Sequence, residues 1–371
     1  MKVAFVDLKA QYQSLKNEID TAIRNVVEET AFIRGKYVEK FEKEYELRYG
    51  VKNCISIGNG TDGIYIALKM LGIGSGDEVI TSACSWIATA ETITQAGAKV
   101  VFADIEPDYY TIDPADIEKK ITEKTRAIIP VHFYGQSAEM DKIMSIAGKR
   151  GLYVIEDCAQ AHFAEYKGKK AGVIGNAGVF SFYPSKNLGA YGDAGCVITN
   201  DNDFAKKMRL YANHGSIDKV EHLFEGVNSR MDGLQASILS AKLPHVLEWN
   251  RKRNEKSELY MSLLSDVDKI ILPKVRKECT HVFHLFVIRC QRRDELRNFL
   301  ASKDIQTMIH YPKALPFLQA YKYLDHKKED FPTAFIYQPE ILSLPLYPEL
   351  TYEEIRYVAD SIREFYRNKS S

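Results

Sequence analysis

The feature that most constrains this chain is a regular alternation between residues 54 and 156. Short apolar runs at 54–57, 79–82, 99–103, 126–132 and 152–156 are separated by stretches with apolar side chains three and four apart, around 64–71, 86–96, 114–121 and 139–149. Near-continuous apolar strands need cover on both faces, and strands joined through helices run parallel. The alternation therefore predicts an α/β fold, with a large, mainly parallel sheet covered by helices. Ligands of such sheets collect at the carboxyl ends of the strands, so the loops that follow them are where chemistry is expected.

The rhythm changes near residue 244. A long charged helix is expected over 247–264, then a strand over 281–289, a helix over 292–302, a strand over 306–310 and a last helix over 352–366. A chain of 371 residues exceeds what one core usually organises. We expect a large α/β domain over 1–244 and a smaller C-terminal α+β domain over 245–371. A single amphipathic helix over 12–27, with Tyr12, Leu15, Ile19, Ile23 and Val26 on one face, precedes the first strand. Gly72-Ile-Gly-Ser-Gly76 follows a helix and precedes a strand, the reverse of the dinucleotide-binding order, and reads as a turn.

Fifty basic residues balance fifty acidic ones, which argues against a nucleic-acid or anionic-membrane partner. No apolar run approaches the roughly 18–20 residues of a membrane span, and the N-terminus lacks a signal-peptide core, so the cytoplasm is the expected location. Six scattered cysteines without a C-x-x-C pair give no metal or redox signature.

Three places carry chemistry. Gly178 to Gly195 sets Lys186 after an apolar strand and before a glycine-rich reversal, where desolvation would lower the amine's pKa and make it a nucleophile. Gly58-Asn-Gly60-Thr61-Asp62 lies where a strand meets a helix N-terminus, a ready phosphate site, or else a cap made by Thr61 or Asp62 with nothing bound. Asp157 ends a buried strand, where a carboxylate needs a cation or donor; one such partner is a protonated pyridine nitrogen. His162, just beyond Gln160, is either a loop histidine or a ring contact. A lysine, a strand-end acid, Ser181 and a Gly-Thr helix start together answer the aldehyde, ring nitrogen and phosphate of pyridoxal 5'-phosphate. Trp86 is placed to stack on that ring or to pack in the core.

These motifs carry a resemblance. Gly-Asn-Gly-Thr-Asp at 58–62, Glu-Asp-Cys-Ala-Gln at 156–160, Ser-Phe-Tyr-Pro-Ser-Lys-Asn-Leu-Gly at 181–189, Gly-Asp-Ala-Gly at 192–195 and Asn-Ser-Arg-Met-Asp-Gly-Leu-Gln-Ala at 228–236 resemble the DegT/StrS-type sugar-nucleotide aminotransferases, which are fold-type-I pyridoxal-phosphate enzymes. The opening Phe5-Val-Asp-Leu and the late His310-Tyr311-Pro312 fit as well, so nearly the whole chain is covered. The resemblance implies that Lys186 holds the cofactor and shuttles the proton, Asp157 pairs with the ring nitrogen and Gln160 contacts the ring's phenolic oxygen. It implies that Gly60, Thr61 and Ser181 bind phosphate, Trp86 stacks on the ring, and Asn228 reaches the neighbouring subunit's phosphate, making a homodimer with shared sites. Tyr183, Asn187, Arg230, His310 and Tyr311 are the candidates for contacts to the sugar or its diphosphate.

The implied reaction takes an amino group from a donor, usually glutamate, and places it on the keto carbon of a nucleotide-linked sugar, as in surface-glycan or natural-product amino sugars. The Tyr183-Pro-Ser-Lys-Asn-Leu-Gly189 version resembles relatives acting at C-3 of dTDP- or UDP-linked sugars; amination at C-4 of a 4-keto-6-deoxy sugar is the alternative, and a non-catalytic cofactor-binding regulator is the reading from another class.

Overall fold

The computed structural model describes residues 1–217 and 220–367. Its central sheet has seven strands: β1 (Asn53–Ile57), β2 (Glu78–Ser82), β3 (Lys99–Ala103), β4 (Thr125–Ile129), β5 (Tyr153–Asp157), β8 (Ala177–Ser181) and β9 (Gly195–Thr199), in the order β1-β9-β8-β5-β4-β2-β3. The pairs from β8 through β5, β4 and β2 to β3 are all parallel, and β9 alone runs antiparallel to both its neighbours. Between β5 and β8 the chain makes β6 (Glu165–Tyr166) and β7 (Lys169–Lys170), which β11 (Cys279–Thr280) joins as a small separate sheet.

The two-residue period of a strand decides which cluster each side chain enters. Ile55, Ile57, Val79, Ala127, Ile129, Ile155 and Val197 face one way, towards Ile64 and Leu68 of α4 (Gly60–Met70), Ile93 of α5 (Ala88–Gln95) and Met208 of α8 (Asn202–Tyr211). Their neighbours Cys54, Phe180, Cys196 and Ile198 face the opposite way, packed with residues of α2 (Lys16–Glu28), α3 (Lys36–Tyr49) and α9 (Gly233–Lys242). Ile80, Ile128 and Val154 meet α6 (Pro114–Lys120) and α7 (Met140–Arg150) on that second face. Both faces are covered, as near-continuous apolar strands require.

The smaller sheet is β10 (Ile270–Ile271), β12 (Phe286–Cys290) and β13 (Ile341–Leu344), antiparallel, in the order β10-β12-β13. It packs with α10 (Val246–Leu264), α11 (Arg293–Ser302) and α13 (Tyr352–Arg367), while α12 (Pro332–Tyr337) lies against the large domain. The 244/245 division falls between α9 and α10, and segments cross it both ways. Val3 is buried in the small-domain cluster, whereas Ala314, Phe331 and Ile341 belong to a large-domain one.

Three expected elements differ. The helix over 12–27 is two helices, because Asp7 caps α1 (Leu8–Ser14) and the backbone leaves helical geometry at Leu15, with φ of −121°. The strand over 281–289 begins only at Phe286, since Val282 and Leu285 donate instead to the carbonyls of Gly135 and Tyr134 in the other domain. The strand over 306–310 is a single bridge, Met308 to Ser343, before the chain turns into the cleft at His310.

Alternation also separates the two adjacent acids at the end of β5. Glu156 is fully buried and accepts from the N–H groups of Gly172, Ile174 and Gly175 and from His132 Nε2 at 2.9 Å. It pins the β7–β8 loop beneath the sheet, and Asp157 is left to face the cleft.

Candidate active site

A cleft of about 640 Å³ opens at the carboxyl ends of the parallel strands. Its lining includes Gly60, Thr61, Trp86, Asp157, Gln160, Ser181, Tyr183, Lys186, His310 and Tyr311, ten residues that the sequence singled out. They come from five separate loops. The volume is that of a small-molecule site.

Lys186 follows β8 by one tight turn, its N–H donating to the carbonyl of Tyr183 at 2.8 Å. Its side chain is partly buried, and the amine is walled by protein. That desolvation pushes its pKa down to about 8, with Asp157 pulling weakly the other way. Among the described residues the amine has no hydrogen-bond partner, which leaves it available for a bond to a ligand. Asp157 is buried and held from two sides. Thr89 Oγ1 donates to Oδ2 at 2.7 Å and the Ala159 N–H to Oδ1 at 3.1 Å, while the remaining lone pairs face the cleft.

The cap of α4 is Asn59, not Thr61 or Asp62: its side chain accepts from the Asp62 N–H at 2.8 Å. The next two N–H groups back, of Gly60 and Thr61, have no acceptor among the described residues and face the cleft beside the Ser181 hydroxyl. Unpaired N–H groups at a helix start draw an anion. The approach is close on every side, since a Cβ on Gly60 would meet Ser181 Cβ at 2.9 Å and one on Gly195 would lie 2.5 Å from the Asn59 carbonyl carbon.

Gln160 is buried and oriented, accepting from the Tyr134 N–H at 2.7 Å and pointing Nε2 at the Tyr311 hydroxyl, 3.4 Å away. Trp86, 58% exposed, lies with its ring centroid 5.3 Å from that of Tyr311 at the mouth. Burial and then Lys186 push the His310 pKa down to about 4, so this half-buried ring is neutral near pH 7.

Three proposed contacts lie elsewhere. Asn187 is 2% exposed and turns behind the cleft, where its amide is spent on Asn250, the Val282 carbonyl and His284. Arg230 donates to Asn213 Oδ1 at 3.2 Å and lines a different polar cavity with Arg34, Glu42 and Arg209. Asn228 is exposed, outside this cleft, on a loop that Ser229 fastens to the α4 cap through Asp62 and Gly58. Conversely, Thr89, Ser85 and His284 line the cleft and were not singled out. Thr89 had a signal, a hydroxyl in the first turn after Trp86. His284 had none, because it reads as part of an apolar strand.

The donor set fits pyridoxal phosphate: unpaired helix N–H groups and hydroxyls for the phosphate, a deprotonatable amine for the aldehyde, and a fixed carboxylate across the cleft for the ring nitrogen. Comparison with known proteins agrees. The chain is 46% identical to a "Pleiotropic regulatory protein" of Geobacillus stearothermophilus, over 99% of this chain and 100% of the relative. It is 38% identical to a "dTDP-3-amino-3,4,6-trideoxy-alpha-D-glucose transaminase" of Streptomyces venezuelae, covering 98% and 96%. It is 40% identical to a "UDP-N-acetyl-3-dehydro-alpha-D-glucosamine 3-aminotranferase" of Acidithiobacillus ferrooxidans, covering 97% of each. The crystal structure of DesV from S. venezuelae superposes with a TM-score of 0.96 at 39% identity, covering 98% of both chains. A Bacillus subtilis structure with bound cofactor PMP gives 0.90 at 31%, covering 99% of this chain and 85% of that one. The family model for the DegT/DnrJ/EryC1/StrS aminotransferases matches residues 13–363. The chain belongs to that family and is a pyridoxal-phosphate-dependent aminotransferase.

Proposed function

We propose that this enzyme moves an amino group from an amino-acid donor, glutamate, onto C-3 of a nucleotide-linked 3-keto sugar. The observation that carries the reading is the cleft itself, with a desolvated Lys186 amine on one wall, a fixed Asp157 opposite, and a mouth rimmed by exposed aromatic rings. The two transaminases named above, one dTDP-linked and one UDP-linked, both carry position 3 in their names, which supports C-3 and leaves the nucleotide open.

Pyridoxal phosphate, when bound, supplies an aldehyde that can take up an amino group and a ring that withdraws electrons from the reacting carbon. The residues do the rest. Gly60, Thr61 and Ser181 would hold the phosphate end, and Trp86 would lie against the ring and exclude water. Asp157, aligned by Thr89 and Ala159, would pair with the ring nitrogen and hold a proton there. Gln160, fixed by Tyr134, offers its Nε2 to the ring oxygen. Lys186, with a pKa of about 8, takes a proton from one carbon and returns it to another, acting as base and then acid near neutral pH. Tyr183, His310 and Tyr311 would meet the sugar and its diphosphate.

The enzyme would work as a homodimer with shared sites in the cytoplasm. Asn228, exposed and outside its own cleft on a loop tethered by Ser229, supports a role towards another copy's site. The test is to convert the protein to its amino-loaded form with glutamate, supply 3-keto and 4-keto sugar nucleotides of both kinds, and locate the new C–N bond by NMR. Amination at C-4 alone would overturn the position, and refusal of every sugar nucleotide would overturn the substrate class. A regulatory reading has one observation in its favour, the name of the Geobacillus relative. Turnover with any of these sugars would decide against a purely regulatory role.

A further inference from the structure

His284 enters the cleft from the stretch just before β12 that hydrogen-bonds across to Tyr134 and Gly135, and its ring is held by hydrogen bonds whose direction can be worked out atom by atom. Backbone carbonyls only accept, and two of them anchor the chain. The His162 carbonyl accepts from Asn250 Nδ2 at 2.9 Å, so Asn250 presents its oxygen on the other side. Asn187 Nδ2 donates to that oxygen at 2.9 Å and to the Val282 carbonyl at 3.0 Å. Both amide protons are then spent, and Asn187 Oδ1 lies 3.1 Å from His284 Nδ1. An amide oxygen cannot donate, so Nδ1 carries the proton; the network assigns this without any hydrogen being seen.

The ring has little freedom to evade this. His284 is 8% exposed, and the buried Arg253 grips the carbonyls of Phe283, His284 and Leu346. Burial, then Lys186, Arg253, His310 and His162, drive its pKa well below the usual value, so the ring stays neutral. Nε2 is left as a bare lone pair on the cleft wall, with no protein partner among the described residues.

We propose that His284 Nε2 is a fixed acceptor for a hydroxyl of the bound sugar and distinguishes the sugar half of the reaction from the amino-acid half. The proposal rests on the sugar-nucleotide reading above. Apart from the amine that joins the cofactor, an amino-acid donor brings only carboxylates, which are acceptors and have nothing to give a lone pair. A sugar presents hydroxyls, which can donate, and a site built around one such bond discriminates strongly against a ligand that lacks the donor. Asn187, next to Lys186 in sequence, acts through His284 as the positioning residue that fixes the tautomer.

Two variants and one spectrum test this. His284→Asn keeps a side-chain N–H near the Nδ1 position for Asn187 and deletes Nε2; His284→Gln sends an amide to the Nε2 position. The probes are stable dTDP- and UDP-linked 3-amino sugars, reacted with the cofactor-loaded enzyme in the reverse half-reaction, with glutamate run in parallel. His284→Asn is expected to lose about tenfold more in kcat/KM with the amino sugar than with glutamate, chiefly through KM, and His284→Gln to recover part of it. Equal losses in both half-reactions, or none with the sugar, overturn the proposal. Nitrogen NMR of histidine-labelled holoenzyme decides the tautomer independently, even where a variant fails to fold. A non-protonated Nε2 supports it, and a proton there overturns it. If the wild type reacts with neither amino sugar, the substrate reading falls and the hydroxyl partner with it, a result distinct from a wrong tautomer.

Discussion

Desolvation makes Lys186 a nucleophile, because walling an ammonium away from water favours the neutral amine that attacks a carbonyl. Its pKa of about 8 lies below the ordinary 10.5, so deprotonation that would need strong alkali in water is largely complete by pH 9. Mixing apoprotein with pyridoxal phosphate at a series of pH values should show attachment quickening about tenfold per unit up to about pH 8 and levelling above it. Continued quickening towards 10.5 would mean the amine is solvated after all. Asp157→Asn tests the opposite wall. It keeps the hydrogen bonds to Thr89 and Ala159 within reach but removes the charge. The variant should bind cofactor and lose turnover by about a hundredfold or more, measured by coupled assay. Lys186, Asp157, Thr61 and Ser181 were legible in the sequence because each follows a strand that names itself by composition. Asn187 was misread because its environment comes from Asn250 and Val282, which adjacency to Lys186 does not reveal.

Close approach is what positions the elements around the cleft. β9 runs so near the start of α4 that only glycine fits at residue 195. Gly195→Ala should push the Asn59–Thr61 turn away and weaken cofactor binding by about tenfold or more in equilibrium titration, with modest change in Tm. Lys242 of α9 is fully buried and ties three segments together: its amine donates to Gln11 Oε1 at 2.9 Å and to the Gly189 carbonyl at 2.7 Å, over the Tyr191 ring. Lys242→Met leaves both acceptors unpaired, so thermal unfolding should show a loss of about 2–4 kcal/mol. Burial pushes the Lys242 pKa down from 10.5 to about 8, so between those values the unfolded chain holds the proton more tightly and the fold should gain stability as pH rises through that window, with no further change from this group below pH 8. At this scale periodicity located the parallel strands to within a residue or two. It failed where tertiary contacts outweigh pattern. Residues 281–285 look like strand but hydrogen-bond across to Tyr134 and Gly135, and Leu15 breaks an otherwise continuous amphipathic run.

At the scale of the whole molecule, the large sheet gives the cleft its floor, and the later part of the chain adds His284, His310 and Tyr311 to its rim. If Asn228 completes a neighbour's phosphate site, Lys186→Ala and Asn228→Ala proteins should each be inactive, and an equimolar mixture after subunit exchange should recover up to about a quarter of the wild-type activity, since about half of the dimers are mixed and each of those carries one intact site of two. No recovery after subunit exchange would mean that Asn228 does not serve the neighbour's site. The class of fold and the floor of the site could be read from the chain because both follow from local pattern. Of the rim, His310 and Tyr311 were legible through their motif, whereas His284 was not, because its place depends on how residues 281–285 fold back against Tyr134 and Gly135.

The central claim is that the amine of Lys186 is the group through which amino transfer passes. Its most direct test is the near-visible absorption of the protein loaded with pyridoxal phosphate. The wild type should show a band that disappears on adding glutamate and returns on adding the keto sugar nucleotide, while Lys186→Ala shows no such cycle and loses activity by more than about a thousandfold. A Lys186→Ala protein that still cycles between the two states would contradict the account.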